Sequence, residues 1–342
     1  MVARANRRVR RSLRSLPPQA SITECVEIVN IVVVMDGPET VDPTSDTSFG
    51  LMLAAQERGH AMWHCTASDL EWVDGHPRAR ARRAFADEHA TEPLRLGDVE
   101  DVDLTAVDAV LIRTDPPFDV AYLHMTLLLD HLAGQTLVVN APRGLRDANE
   151  KLYAHRFGDL VPPTIVTADA ARIVAFARTH GSAVAKPIEG HGGRGVMALR
   201  ADDSNLPSII DTLTSRGSTP VLVQRYLDVA ATGDKRILLL DGEPLGAIQR
   251  FPTTDDFRAN ICVGGRVAAC DLDDADRRII DRLRPALRAD GLYFVGIDVI
   301  DGHLSEVNVT SPTGIRQLGA LTGSRPDIEV IRWLETAAAA LP

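Results

Sequence analysis

Between Phe294 and Thr313 the chain reads FVGIDVIDGHLSEVNVTSPT, a pattern that admits little besides a two-stranded hairpin. Phe294 to Ile300 and Leu304 to Val309 alternate as strands do, and Asp301-Gly302 between them is turn chemistry. Successive side chains on a strand point to opposite faces, so the loop length decides which residues become neighbours. A two-residue loop sets Asp298 and Glu306 on opposite faces, whereas a three-residue loop over Asp301, Gly302 and His303 makes them direct neighbours. The longer loop also sorts the apolar residues. It gathers Val295, Ile297, Val299, Val307 and Val309 on a buried face and leaves Asp298, Glu306 and Asn308 together on the other. Oxygen ligands that include two carboxylates, with no Cys or His among them, suit Mg²⁺ held partly by a substrate phosphate. The competing reading of these three residues is an ordinary solvated strand face.

A chain of 342 residues has room for two or three domains with substantial cores. Its net charge of -10 opposes a sequence-independent grip on nucleic acid, which depends on Lys and Arg neutralising phosphates. Small anionic substrates stay open, because a local Arg/Lys cluster outweighs an acidic average. Cys25, Cys65, Cys262 and Cys270 have neither CxxC spacing nor the density of a disulfide scaffold, which points to a reducing cytoplasm. No apolar run approaches the roughly 18 residues that span a bilayer, so no membrane partner is expected.

Arg4, Arg7, Arg8, Arg10, Arg11 and Arg14 crowd the start, with no apolar core of signal-peptide length after them, so residues 1–25 read as a disordered basic tail. Order is expected from Val26. Glu27 to Met35 is a buried strand, Ser48 to Arg58 a helix stopped by Gly59, and Ala106 to Arg113 and Thr136 to Asn140 further buried strands around the helical stretch Val120 to Leu132. This alternation predicts a parallel α/β sheet over residues 26–146. Such sheets bind ligands beyond the carboxyl ends of their strands, where the loops Gly37 to Thr47 and Arg113 to Phe118 lie. The charged segment Trp72 to Glu100 reads as a surface insertion. His60 and His64, four apart and with no carboxylate partner in view, read as packing and surface residues.

Near Asp147 the pattern changes. Ala183 to Ile188 is a strand ending in Lys186-Pro187, followed by Gly190-His191-Gly192-Gly193-Arg194-Gly195 and a second strand, Val196 to Arg200. Residues 190–195 formally satisfy GxGxxG, but that dinucleotide fingerprint must open a helix and here a strand follows. A Walker-type loop fails as well, since no Gly-Lys-Ser/Thr is present. What remains is a glycine flap between two strands, able to lay backbone N–H groups over phosphates with Lys186 beneath; the blander reading is a glycine-rich hairpin loop. Further on, Pro220 to Leu227 and Ile237 to Leu240 read as strands. Phe251 to Gly265, bracketed by Arg250 and Arg266 and containing Arg258, has little regular pattern and reads as a mobile active-site lid.

Together these residues resemble the prokaryotic glutathione synthetase family of ATP-grasp ligases. The match runs from about Ile31 to Ile315 and rests on DTSFGLMLAAQERGH at 46–60, RTDPPFD at 113–119, LRDANEKL at 145–152, KPIEGHGGRG at 186–195, QRYL at 224–227, GDKRILLLDGEP at 233–244, and the hairpin with its following NVTSPTG. The resemblance implies an α/β fold with a parallel-sheet N-terminal pre-ATP-grasp domain at 26–146. A two-lobed ATP-grasp unit follows, with a lid lobe at 147–222 and a C-terminal lobe with the metal site at 223–342. Lys151 and Lys186 look like the ATP-phosphate lysines, and Gly190, Gly192, Gly193 and Gly195 like the flap. Gln224, Tyr226 and Leu227 resemble the adenine-binding hinge, Asp234 the ribose-side carboxylate, and Asp298, Glu306 and Asn308 the ligands of Mg²⁺, or of Mn²⁺ in its place. Arg236, Lys186 and Arg250 are then the catalytic cations. The peptide substrate is placed against Asp46, Ser48, Arg113, Arg250, Arg258 and the turn Thr310, Ser311, Pro312 and Thr313.

The implied reaction joins γ-glutamylcysteine to glycine with ATP, through an acyl phosphate, in a cytoplasmic homotetramer. The chain departs from the family where Ser45, Thr114 and Ala141 replace common lysines and Gly314 stands where some members have Cys. Lost positive charge near the acid keeps a rival open, an ATP-grasp ligase for another acid and amine. A nucleotide-binding regulatory protein without turnover is the more distant reading.

Overall fold

The computed structural model describes residues 28–252 and 266–341, and among them sixteen strands form three sheets. The first sheet comprises β1 (Asn30–Val34), β2 (Ala61–Cys65), β3 (Leu70–Val73), β4 (His76–Ala86), β5 (Leu94–Asp103), β6 (Ala109–Ile112) and β7 (Leu137–Val139). Its order is β3-β4-β2-β1-β6-β7, with β5 on β4. β1 pairs in parallel with β2 and β6, and β6 with β7, which is the expected α/β arrangement. Ile31 to Val34 are buried on both faces, as strands sandwiched between helices must be. The helix Thr47–Glu57 starts where Asp46 accepts a hydrogen bond from the Phe49 amide at 2.9 Å.

The charged segment, expected as a surface insertion, is an ordered extension of the first sheet. It folds into the antiparallel strands β3, β4 and β5, and β4 joins the main sheet beside β2 through Trp63–Arg83 and His64–Arg82 pairing. Along β4 the small apolar residues Ala79, Ala81, Ala84 and Ala86 face inward between outward arginines. Alanine carries so little apolar signal that the arginines dominate the reading. Opposite charges across the ladder, such as Arg78 with Asp101 at 2.7 Å, then support the pairing. His60 also has a carboxylate partner after all. Its Nε2 lies 2.6 Å from Glu335, while its Nδ1 accepts from the Val29 amide, so it ties the C-terminal helix Pro326–Ala339 to the first sheet. His64 contacts the Asp36 carbonyl.

The second sheet is antiparallel, in the order β10-β9-β11-β8, from β8 (Thr164–Thr167), β9 (Ser182–Pro187), β10 (Met197–Arg200) and β11 (Val221–Arg225). Strand β11 runs across residue 222, so this sheet closes at Arg225 rather than at the expected division. Its core is its own, built from Ile173, Leu199, Leu206, Ile210, Val221 and Val223 among others. The third sheet, β14-β13-β12-β15-β16, contains β12 (Asp234–Leu240), β13 (Glu243–Phe251), β14 (Arg266–Cys270), β15 (Phe294–Ile300) and β16 (His303–Asn308).

First and third sheets share their cores. Val32, Val110 and Leu129 pack in one cluster with Ile237, Ile297 and Val307. A buried polar clamp adds to this contact. Asn140, just past β7, donates to the carbonyls of Phe294 and Val309 at 2.8 and 2.7 Å and accepts from the Phe294 amide at 2.7 Å. The expected tail over residues 1–25, and all but the ends of the expected lid, Arg258 included, lie outside the described residues.

Candidate active site

The hairpin of β15 and β16 sets Asp298 opposite Glu306 and Gly296 opposite Asn308. The route to that register differs from the expected three-residue loop. His303 pairs with Ile300, leaving a two-residue turn whose Asp301 and Gly302 both have positive φ, 48° and 70°. The register shifts between Asp298 and Val299, so Ser305 is the unmatched residue of a β-bulge. One extra residue is needed to put both carboxylates on one face, and it sits in the strand instead of the loop. Val295, Ile297, Val299, Val307 and Val309 are buried beneath, as expected, with Leu304. The bulge also aims the Ser305 hydroxyl at Lys186, whose Nζ donates to it at 2.9 Å and lies 3.4 Å from Glu306 Oε1.

Asp298 is almost fully buried. Arg236 donates Nε to its Oδ1 at 2.5 Å and Nη2 to its Oδ2 at 3.1 Å, and Arg250 Nη2 reaches Oδ1 at 2.9 Å. Burial pushes the Asp298 carboxyl up, but the two guanidiniums outweigh it and hold the group well below the usual carboxylate range. Burial also pushes Asp234 up to about 6, partly offset by Arg250, whose Nη2 donates to Asp234 Oδ2 at 2.7 Å. Among the described residues Asp234 Oδ1 and Arg250 Nε are buried without a hydrogen-bond partner, polar atoms that a ligand could satisfy. Asn308 donates Nδ2 to Asp298 Oδ2 at 3.3 Å, which leaves its Oδ1 without a protein donor among the described residues.

Three contiguous cavities meet here. The first, about 790 Å³, lies between the second and third sheets. Lys151, Lys186, Gly190, Gly192, Gly193, Gln224, Tyr226, Leu227 and Asp234 all line it, with Asp298 and Glu306 at its inner end; Gly195 does not. The flap connects β9 to β10, and Lys151 Nζ donates to the Gly190 carbonyl. Gln224 is committed to the sheet by its bond to Thr164 Oγ1 at 3.1 Å. The second cavity, about 1150 Å³, brings Arg236, Arg250, Glu306 and Asn308 against Thr310, Ser311, Pro312 and Thr313. The third, about 790 Å³, is bounded by Asp46, Ser48 and Arg113 and shares Ser311 and Thr313 with the second.

Arg113 is a buried cation whose partners are neutral. Nε donates to Ser48 Oγ and Nη2 to the Pro312 carbonyl, both at 3.0 Å, and among the described residues it has no carboxylate partner. Such a charge is costly until an anion meets it. Of the three positions where the resemblance leads one to expect lysine, Ser45 alone lines this cavity. Thr114 turns its hydroxyl towards the Val34 carbonyl, and Ala141 bonds through its amide to Gly291.

Sequence reasoning missed Glu150, Asp115, His191 and Arg194 as lining residues of these cavities. Glu150 accepts from Thr310 Oγ1 at 2.9 Å and its carbonyl accepts from the Val307 amide, contacts 157 or more residues apart that no local pattern announces. Burial and the charge of Glu306 push its carboxyl up. For His191 a signal existed, an imidazole placed inside the flap itself.

An antiparallel two-lobed unit that holds two lysines and a glycine flap over a carboxylate hairpin defines an ATP-grasp enzyme. Solved structures bear out the fold. D-cycloserine synthetase DcsG superimposes with a TM-score of 0.63 at 18% identity, covering 90% of this chain and 99% of that one. The ATP-grasp ligase PsnB, complexed with a precursor variant, Mg and ADP, gives 0.59 at 18% identity over 92% and 99%. The family model for the prokaryotic glutathione synthetase N-terminal domain matches residues 29–146, and that for its ATP-grasp domain residues 150–323. Glutathione synthetase of Thermosynechococcus vestitus is 47% identical over 90% of this chain and 99% of its own length, and that of Mesorhizobium japonicum 41% over 89% and 97%. The chain belongs to the prokaryotic glutathione synthetase family.

Proposed function

We infer that the protein is an ATP-dependent carboxylate–amine ligase that joins γ-glutamylcysteine to glycine, forming glutathione, ADP and phosphate. The observation that carries this reading is the convergence of Lys151, Lys186, Arg236 and Arg250 where the first two cavities meet, in a chain of this family. ATP fills the first cavity, its adenine against Gln224, Tyr226 and Leu227 and its ribose beside Asp234. Lys151, Lys186 and the flap amides hold the phosphates. The acid lies in the second and third cavities, its carboxylates met by Arg113, Arg236 and Arg250. A carboxylate is a poor electrophile, so transfer of the γ-phosphoryl group makes an acyl phosphate, with the arginines neutralising the developing charge. The amine then displaces phosphate while the closed lobes keep water out.

Asp298, Glu306 and Asn308 fit Mg²⁺ by donor type. Among the described residues no group of three or more His, Cys, Asp or Glu side chains gathers as a metal cage, so two carboxylates and an amide oxygen would share the ion with phosphate oxygens. When bound, Mg²⁺, or Mn²⁺ in its place, neutralises phosphate charge during transfer. Residues 26–146 are taken as the pre-ATP-grasp domain, with the lid lobe running from 147 to the end of β11 at Arg225 and the metal-bearing lobe after it. A homotetramer is the proposed assembly, supported by Val120, Leu123 and Leu127, an exposed apolar stripe on one helix. Cytoplasmic location is proposed from Cys65 and Cys270, both free; no helix among the described residues is long and apolar enough to cross a membrane.

A second reading, ligation of a different acid and amine, draws on the third cavity. Asp36, Asp42, Asp46 and Asp115 line it, with Arg113 its single cation among the described residues. A panel of acids and amines scored by ADP release decides between them. Release with γ-glutamylcysteine and glycine is expected; release only with another pair would transfer the assignment to that pair.

A further inference from the structure

An amine attacks an acyl phosphate only in its uncharged form, so ligation of an amino acid at neutral pH needs a group that removes a proton from the ammonium. The carboxylates around the second cavity are poorly placed for this. Glu306 lies against Lys186, Glu150 accepts from Thr310, and Asp298, in the adjoining first cavity, is clasped by Arg236 and Arg250; Asp115, the remaining carboxylate of the second cavity, sits on the loop after β6 and not on the flap that covers the phosphates. His191 differs from all of them. It is half-buried on the flap, lines both the nucleotide cavity and the cavity that holds Arg236 and Arg250, and its ring has no hydrogen-bond partner among the described residues.

Charged groups that share cavities with this imidazole include residues of four segments. Arg194 belongs to the same flap, Lys151 and Glu150 precede β8, Asp115 projects from the loop after β6, and Arg236 and Glu306 come from the third sheet. Burial and then Arg194 pull the His191 pKa down, with Lys151 adding to them and Asp115 opposing. A ring held neutral near pH 7 is able to accept a proton.

We propose that His191 is the general base of the ligation step, taking a proton from the ammonium of the incoming amine while Asp115 faces the imidazolium that forms. The freed nitrogen lone pair makes the C–N bond, the C–O bond to the phosphoryl group breaks, and the second amine proton leaves with the departing phosphate. His191 returns its own proton to solvent on product release. Because the ring rides on the flap, the base is delivered only when the loop covers the phosphates. The inference rests on the amine-ligation reading above.

The test compares two amines in the same enzyme. Glycine must be deprotonated, whereas hydroxylamine is already uncharged at neutral pH and traps an acyl phosphate as a hydroxamate without a base. With γ-glutamylcysteine and ATP, His191→Gln is expected to lower glycine-dependent ADP release about 100-fold, the usual scale of general-base loss, and to leave hydroxamate formation near wild type. Asp115→Asn should move the same ratio in the same direction by less, and raising the pH should restore part of the glycine rate in His191→Gln. Equal losses with both amines would assign His191 to nucleotide handling and overturn the inference, as would no loss with either. Wild-type enzyme that releases no ADP with γ-glutamylcysteine and glycine would overturn the functional reading itself, a result distinguishable from either.

Discussion

The four-stranded lobe and the remainder of the molecule are built on different terms. First and third sheets share one core, in which Val32 and Val110 pack with Ile297 and Val307, and the buried Asn140 amide bonds the two together. The lobe of β8 to β11 keeps a smaller core of its own and meets the third sheet mainly through polar contacts such as Lys186 with Ser305 and Glu306. Burial holds the first pair as one body, while a few polar contacts with no shared apolar core leave the lobe freer to move. The site straddles that difference. The flap and Lys186 ride on the lobe, whereas Arg236, Arg250 and Glu306 are fixed to the base, so a nucleotide bound between them is expected to draw the two bodies together.

The largest expected effect is on chemistry, and it tests whether each body contributes. Glu306→Gln on the base is expected to lower turnover at least about 10²–10³-fold, and Lys186→Ala on the lobe to cost roughly 2–4 kcal/mol in kcat/KM for ATP. Val307→Ala, one residue from Glu306 but on the buried face, should cost stability and spare turnover. Steady-state kinetics on folded variants checks this, and equal catalytic damage from positions 306 and 307 would remove the face assignment.

Next in size is the contrast between cores. Ile297→Ala and Leu199→Ala each delete buried methyl groups and should each cost about 2–5 kcal/mol, but in different places. Hydrogen exchange is expected to quicken throughout β1, β6, β12 and β15 in Ile297→Ala, and only across β8 to β11 in Leu199→Ala. Uniform quickening in both would mean that the lobe does not open separately.

The smallest effect concerns a tie within the base. Arg58 holds Glu335 through Nε at 2.5 Å and Nη2 at 2.8 Å, and His60 adds a third contact. Burial raises the Glu335 pKa, but these partners outweigh it and the net direction is down. A depressed carboxylate adds stability above its unfolded pKa, about 4.3, and loses it as pH falls through the folded value. The stability gap between wild type and Glu335→Gln should therefore be steady above about pH 5, at most about 1 kcal/mol for a half-buried tie near the surface, and shrink in more acidic solution. A gap that grows on acidification would contradict the assignment.

Much of this architecture was legible in local pattern. Period-two alternation marked β15 and β16, unbroken apolar runs marked β1 and β6, and the glycines between two strands marked the flap. The register of Asp298 against Glu306 followed from sorting the valines, although the extra residue proved to be a bulge at Ser305 and not a longer turn, since both devices give the same alternation. What escaped was carried by weak or distant signals. The alanines of β4 offer too little apolar contrast against their arginines, and the Asn140 clamp and the Glu150–Thr310 bond join residues more than 150 positions apart. His191 was visible as a residue, but only the folded flap brings it to the edge of the second cavity.

The central claim is that lobe and base close on ATP to activate a carboxylate before an amine takes its place. γ-Glutamylcysteine labelled with ¹⁸O in the carboxylate that accepts glycine tests it most directly. If the route is an acyl phosphate, one labelled oxygen passes into inorganic phosphate for each glycine joined. Ligation that releases unlabelled phosphate would contradict it.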